Sequence, residues 1–168
     1  KKDYLNSLPE NKDIEIRNLT FRYYGAGNEP IFSRLNLHFP AGKTTAIVGT
    51  SGSGKTTILK LLLRFYEYEE GEVLIGGKRL EQFDFSLWRD KCGAVLQDNY
   101  VYADTIERNI TVNEEFPDKQ RLENAIEISN LNEFIAEQPF GLATKIGTAG
   151  KGVSQGQRQR LMIARAVY

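Results

Sequence analysis

Gly49-Thr50-Ser51-Gly52-Ser53-Gly54-Lys55-Thr56 is the stretch that decides how the rest of the chain is read. It satisfies G-x-x-x-x-G-K-[ST], a spacing with a physical purpose. An apolar run, Thr44–Val48, delivers the chain to a tight turn. Glycine at 49, 52 and 54 lets the main-chain N–H groups of the turn, including those of Thr50, Ser51 and Ser53, point inward without side-chain obstruction. The apolar segment Lys55–Phe65 then reads as a helix, whose N-terminus adds partial positive charge. Lys55 supplies a full charge, and the Thr56 hydroxyl is placed to meet a divalent cation. The expected cradle runs from Gly49 to Thr57 and fits a polyphosphate.

Outward from that loop, the N-terminal side reads as antiparallel strands. Residues 1–12 are polar and without period, a linker or frayed end. Ile14–Tyr24 alternates through Ile14 and Ile16, and Ile31–Phe39 alternates through Leu35, Leu37 and Phe39. Glu72–Ile75 and Lys78–Leu80 flank Gly76-Gly77, a two-residue hairpin signal. Thr44–Val48 and Ala94–Leu96 are expected as short buried strands.

The C-terminal side is helical in texture. Thr105–Ile110 is a helix, and Asp118 caps another whose Leu122, Ala125, Ile126 and Ser129 share one face. Helical character extends to about Pro139, and a last helix begins near Ser154. The order predicts an α/β fold with appended β and α subdomains.

Composition narrows the partners. Among 168 residues, 22 Lys and Arg balance 22 Asp and Glu, so no overall field favours nucleic acid or an anionic surface. No run approaches the roughly 18 apolar residues that cross a bilayer, and Lys60 interrupts the best candidate, Ile58–Leu63. The single cysteine, Cys92, can close no internal disulfide.

A second signature lies at Val153-Ser154-Gln155-Gly156-Gln157. Ser154 and Gln157 make the S-x-x-Q capping box of a helix start. The approach through Gly147, Gly150 and Gly152, with Gly156 inside, makes that helix end a second candidate anion site.

With these motifs in order, the chain resembles the ATP-binding-cassette (ABC) transporter family from about Ile14 to Tyr168. Gly49–Thr56 resembles its Walker A motif and Val153–Gln157 its signature. Gln97 sits at its Q-loop position, and Tyr23, in Phe21-Arg22-Tyr23, matches the aromatic that stacks on adenine, with Tyr24 a rival. Asp104-Thr105-Ile106 resembles the exporter branch, and Thr144 through Arg160 looks most like bacterial exporters of peptides and bacteriocins, including peptidase-containing ones.

The resemblance implies a P-loop NTPase three-layer core with an antiparallel β subdomain and a helical subdomain over residues 13–168. It implies ATP and Mg²⁺ as ligands, the ion held by Thr56 and Gln97. It also implies a second nucleotide-binding domain packed head to tail, contributing Ser154, Gly156 and Gln157 in trans. A transmembrane domain at the cytoplasmic face of the cell (inner) membrane completes the implied assembly. Tyr100 and Tyr102 either face the coupling helices of that membrane domain or serve plain packing or an exposed loop.

Departures accompany the resemblance. Gln155 stands where the signature has a glycine, and Thr148 where exporters often carry an acid. No apolar strand ending in Asp-Glu follows Gly54, and His38, the one histidine, precedes the loop and reads as a strand surface residue. The sequence is therefore expected to be truncated before Walker B and unable to hydrolyse ATP alone. Loss of that core strand predicts a marginally stable or self-associated fragment. A nucleotide-binding module without turnover and a soluble P-loop ATPase of the same superfamily stand as alternatives.

Overall fold

The computed structural model describes residues 4–25, 27, 29–96, 100–112, 114–147 and 152–168. The chain divides into two compact units, residues 1–92 and 93–168.

The first unit is built on a four-stranded antiparallel sheet of order β2-β1-β3-β4. Its strands are β1 (Ile14–Phe21), β2 (Phe32–Phe39), β3 (Glu70–Ile75) and β4 (Lys78–Arg79). Ile14 stands opposite both Phe39 and Ile75, and Ile16 opposite Leu37 and Val73. The buried positions of β1 are Ile16, Leu19 and Phe21, so the inward phase slips by one residue after Arg17. A bulge causes the slip. Asn18 sits at φ 48°, and its N–H donates to Asn36 Oδ1 at 2.9 Å instead of to a ladder carbonyl. Gly71 answers the bulge from β3, since a Cβ there would lie 2.5 Å from the Arg17 carbonyl oxygen. Gly76 and Gly77, at φ 53° and 78°, make the expected tight turn into β4.

Helix α1 (Lys55–Leu62) lays Thr57, Ile58 and Leu61 on the core, while Leu59 stays 43% exposed. The helix stops three residues short of the expected Phe65. Arg64 turns left-handed at φ 56°, and the N–H groups of Arg64 and Phe65 return to the Leu61 and Lys60 carbonyls. That is a Schellman ending with arginine in the usual glycine place. Carbonyls left over at this end are met from α2 (Phe85–Arg89): Trp88 Nε1 donates to Leu62 O at 2.7 Å and Arg89 Nε to Leu63 O at 3.1 Å. Each fully buried Ile, Leu or Phe side chain of this core contributes about 1.5–3 kcal/mol.

Two expected strands do not form. Residues 44–48 and 94–96 carry no ladder among the described residues, and Val48 is 88% exposed. Strand propensity yields a strand only where a neighbour supplies hydrogen bonds, and no described segment pairs with either run. The polar segment 1–12 lies, in its described part, against the sheet. Leu5 N–H donates to Gln82 O at 2.8 Å, and Leu8 packs on the core. His38 is an exposed residue of β2, as its alternation predicts, with Nε2 3.5 Å from Asp13 Oδ2.

The second unit is helical. A two-residue ladder joins β5 (Asp104–Thr105) to β6 (Lys145–Ile146). Around it pack α3 (Ile106–Thr111), α4 (Lys119–Ile128), α5 (Asn132–Ala136) and α6 (Gln155–Val167). Asp118 caps α4 as its sequence predicts, its Oδ1 accepting from Arg121 N–H at 3.0 Å. Leu122, Ala125, Ile126 and Ser129 are all buried. Asn130, at φ 59°, then breaks the helical region into α4 and α5. Ile106, Ile110, Leu131, Ile146 and Leu161 form the fully buried centre. Among the described residues no helix is long and apolar enough to cross a membrane.

Candidate functional site

The glycine-rich loop closes directly onto α1. Gly54 is the N-cap at φ 88°, a left-handed conformation that a residue with a Cβ adopts only under strain. Space forbids a side chain there as well, because a Cβ would lie 2.6 Å from the Phe32 ring. Gly52 is also left-handed, at φ 80°, with open space around it. A Cβ on Gly49 would meet Ser53 Oγ at 2.6 Å. Gly54 therefore answers to both crowding and backbone sign and Gly52 to backbone sign alone, while rotation of the Ser53 hydroxyl relieves the contact at Gly49.

No side chain caps α1, and its first turn holds no acidic residue. Its leading N–H groups, those of Lys55, Thr56 and Thr57, are the donors that an α-helix cannot satisfy internally. Lys55 Nζ folds over the loop and donates to Gly49 O at 2.8 Å, Thr50 O at 2.6 Å and Ser53 Oγ at 3.3 Å. These neutral acceptors hold the ammonium at the mouth, where a phosphate oxygen makes a stronger charge-assisted partner. Thr56 is exposed beside it, and Thr57 is buried.

Tyr23 reaches this cradle. Its hydroxyl lies 3.0 Å from Thr57 Oγ1, and its ring meets Phe21 and Tyr66 edge-on, both at 5.0 Å between centroids. Tyr24, by contrast, is 99% exposed. The sequence brings Tyr23 and the loop together as expected. It gave no sign of Phe32 and Tyr66 as walls, whose only signal is an aromatic type.

The second candidate anion end also takes its expected form. Ser154 Oγ accepts from Gln157 N–H at 3.2 Å, and Gln157 Oε1 accepts from Ser154 N–H at 2.8 Å. That box leaves the amides of Gln155 and Gly156 facing out of the helix end. The face at Gly156 is open, the nearest atom to a Cβ there being Arg160 Nη1 at 3.9 Å. Gln155 is exposed. Gln97, Thr148 and Gly150 lie outside the described residues.

For a divalent ion, Thr56 offers one hydroxyl. Among the described residues no group of three His, Cys, Asp or Glu side chains stands together to hold a metal unaided. The donor set fits an ion that arrives with phosphate oxygens as its main ligands. A cavity of about 660 Å³ lies elsewhere in the first unit, among Leu61, Arg64, Tyr66, Tyr68, Leu80 and Phe85. There burial, and then the Glu81 carboxylate that Tyr68 donates to, push the Tyr68 hydroxyl well above the usual phenol range.

Comparison with known proteins points the same way. A family model described as "ABC transporter" matches residues 32–168. An uncharacterised ABC transporter ATP-binding protein of Sinorhizobium fredii is 38% identical over 95% of this chain and 27% of its own length. The ATP-dependent lipid A-core flippase of Escherichia coli K12 is 41% identical over 92% of this chain and 27% of its own. A solved bacterial Atm1-family ABC exporter with ATP bound superposes with a TM-score of 0.86 at 32% identity, over 98% of this chain and 29% of that one. The chain thus spans between a quarter and a third of the length of these relatives.

Proposed function

The chain belongs to the ABC transporter family, as ATP-binding-domain sequence of the exporter type, and from that premise we propose that it binds Mg-ATP to power export. The observation that carries the reading is the cradle itself: left-handed Gly54, an uncapped helix start and Lys55 folded over the loop. The β- and γ-phosphates take over the Lys55 ammonium from the Gly49 and Thr50 carbonyls. Backbone amides of residues 50–57 donate to the remaining phosphate oxygens, Ser53 N–H leaving the Thr50 carbonyl to which, contrary to the inward orientation expected of it, it donates at 3.3 Å. Thr56 turns its hydroxyl to the ion, and Gln97 is its proposed second protein ligand. When bound, Mg²⁺ neutralises phosphate charge and polarises the bond that breaks.

Tyr23 is the proposed adenine platform. The Thr57 hydroxyl bond holds its ring beside the cradle, on the edges of Phe21 and Tyr66. Ser154, Gly156 and Gln157 are proposed to serve the γ-phosphate of a second copy of the domain packed head to tail. Two positive helix ends then face one triphosphate. ATP closes the pair, and loss of the γ-phosphate weakens the attraction. The Asp-Glu pair that hydrolysis requires is absent from the 168 residues, so turnover is proposed for the intact transporter.

The domain proposed here, residues 13–168, sits at the cytoplasmic face of the membrane against a transmembrane partner. The resemblance of Thr144–Arg160 to bacterial peptide and bacteriocin exporters supports a peptide-like cargo and a peptidase-containing branch. Mg-ATP titration of the wild type and Lys55→Ala tests the site. Binding is expected to vanish in the variant, and equal affinity in both overturns the assignment.

A further inference from the structure

Residues 100–104 run through a slot with three walls, all within the second unit. The first wall is Asn109 of α3, fully buried. Its Oδ1 accepts from Tyr102 N–H at 2.8 Å, and its Nδ2 donates to Tyr102 O at 3.0 Å and Thr105 O at 2.9 Å. Gly147 is the second: at φ 93° it passes so close that a Cβ would stand 2.8 Å from Tyr102 O. The third is Arg165, near the C-terminal end of α6. Its Nε donates to Asn109 O at 2.8 Å, Nη1 to Tyr100 O at 3.1 Å, and Nη2 to Asn109 Oδ1 at 3.4 Å. The guanidinium carbon also lies 4.8 Å from the centre of the Tyr102 ring.

Every one of these hydrogen-bond acceptors is uncharged. Among the described residues this half-buried guanidinium is held by carbonyls and the Tyr102 ring and meets no carboxylate, and burial lowers its proton affinity. Stability alone is served as well by a well-packed apolar side chain. What the guanidinium supplies is planar, multi-point geometry, joining α6 to both α3 and the Tyr100 carbonyl.

We propose that Arg165 is a positioning residue that makes α6 and the Tyr100–Tyr102 segment one rigid piece. From Ser154 to Arg165 the helix runs about 16 Å. A push on the capping-box end therefore reaches Tyr100 and Tyr102 at the other end. These rings are 59% and 40% exposed and meet edge-on at 5.5 Å between centroids, a firm surface for a neighbour to read. The proposal rests on the reading that nucleotide engages the Ser154 end.

The test uses the intact transporter, comparing wild type, Arg165→Lys, Tyr102→Leu and Lys55→Ala by ATPase kinetics, Mg-ATP titration and thermal melting. Arg165→Lys keeps the charge and loses the fork; it is expected to lower kcat about tenfold while KM for ATP moves less than about twofold. Tyr102→Leu keeps the backbone bonds and loses the ring face, with an expected fall in kcat of about threefold at unchanged KM. Unchanged kcat in both variants overturns the proposal, as does a fall in kcat that tracks a lowered melting temperature. If Arg165→Lys does not fold, Tyr102→Leu decides by the same criteria. Lys55→Ala separates the two readings, since unaltered ATP binding there rejects the cradle assignment and leaves the Arg165 result to be judged on its own kinetics.

Discussion

The hydroxyl of Tyr23 sits 3.0 Å from Oγ1 of Thr57, so the aromatic proposed to stack on adenine is bonded to the first turn of the helix proposed to hold phosphate. One hydrogen bond thus ties the two halves of the proposed nucleotide site together.

That geometry separates ring from hydroxyl. Tyr23→Phe keeps the face and frees Thr57, and is expected to bind Mg-ATP at least as tightly as the wild type. Tyr23→Ala removes the stacking surface, worth about 1–3 kcal/mol per base, and is expected to weaken binding about tenfold. Calorimetric titration distinguishes them. A Phe variant as weak as the Ala variant assigns the contribution to the hydroxyl, and Tyr24→Ala as the weaker protein moves the platform to its exposed neighbour.

Gly54 and Gly52 form a second contrast. Both are left-handed, at φ 88° and 80°, yet only Gly54 faces a wall, the Phe32 ring. Gly52→Ala meets the backbone term of about 1–2 kcal/mol. Gly54→Ala meets that term plus overpacking of about 1–3 kcal/mol against a buried ring. Urea unfolding is expected to rank Gly54→Ala below Gly52→Ala, and Phe32→Leu is expected to narrow the gap. Equal midpoints for the two glycine variants disprove the Phe32 contact.

What was legible in the sequence follows from the range of the forces involved. The Gly76-Gly77 turn, the Asp118 cap and the Ser154–Gln157 box are each decided within a few residues, and all three form as read. The slip in β1 at Asn18 and the early end of α1 at Arg64 were not legible. Each depends on a distant partner: Gly71 and Asn36 for the bulge, Trp88 and Arg89 for the helix end. Residues 44–48 and 94–96 have strand composition but no pairing among the described residues, and composition cannot supply a neighbour. In the site, the loop was visible by motif. Phe32 and Tyr66 were not, because aromatic walls leave no spacing signature.

Acid sensitivity has a specific source in the first unit. Asp13 Oδ1 accepts from Ala41 N–H at 2.6 Å, and this bond, aided by His38 and Asn11, holds its carboxyl below its ordinary range. A depressed folded value means stability present above the unfolded value of about 3.9 and lost as pH falls through the folded one. Asp13→Asn keeps an acceptor without the charge. Its unfolding midpoint is expected to fall less steeply than that of the wild type as pH drops below the unfolded value of about 3.9. Superimposable pH profiles rule out Asp13 as the source.

The Ser154–Gln157 box makes a prediction with two separable readouts. Ser154→Ala removes the acceptor for Gln157 N–H and is expected to cost about 1 kcal/mol of second-unit stability. Ser154→Asp restores a side-chain acceptor and recovers that stability. It also places a negative charge at a helix end proposed to receive the γ-phosphate of a partner domain. The two substitutions should therefore order oppositely: aspartate above alanine in urea midpoint, aspartate below alanine in ATP-driven dimerisation measured by light scattering with the intact domain. If aspartate supports dimerisation as well as serine does, the helix end acts as a structural cap alone, and the trans contact proposed for Ser154, Gly156 and Gln157 is wrong.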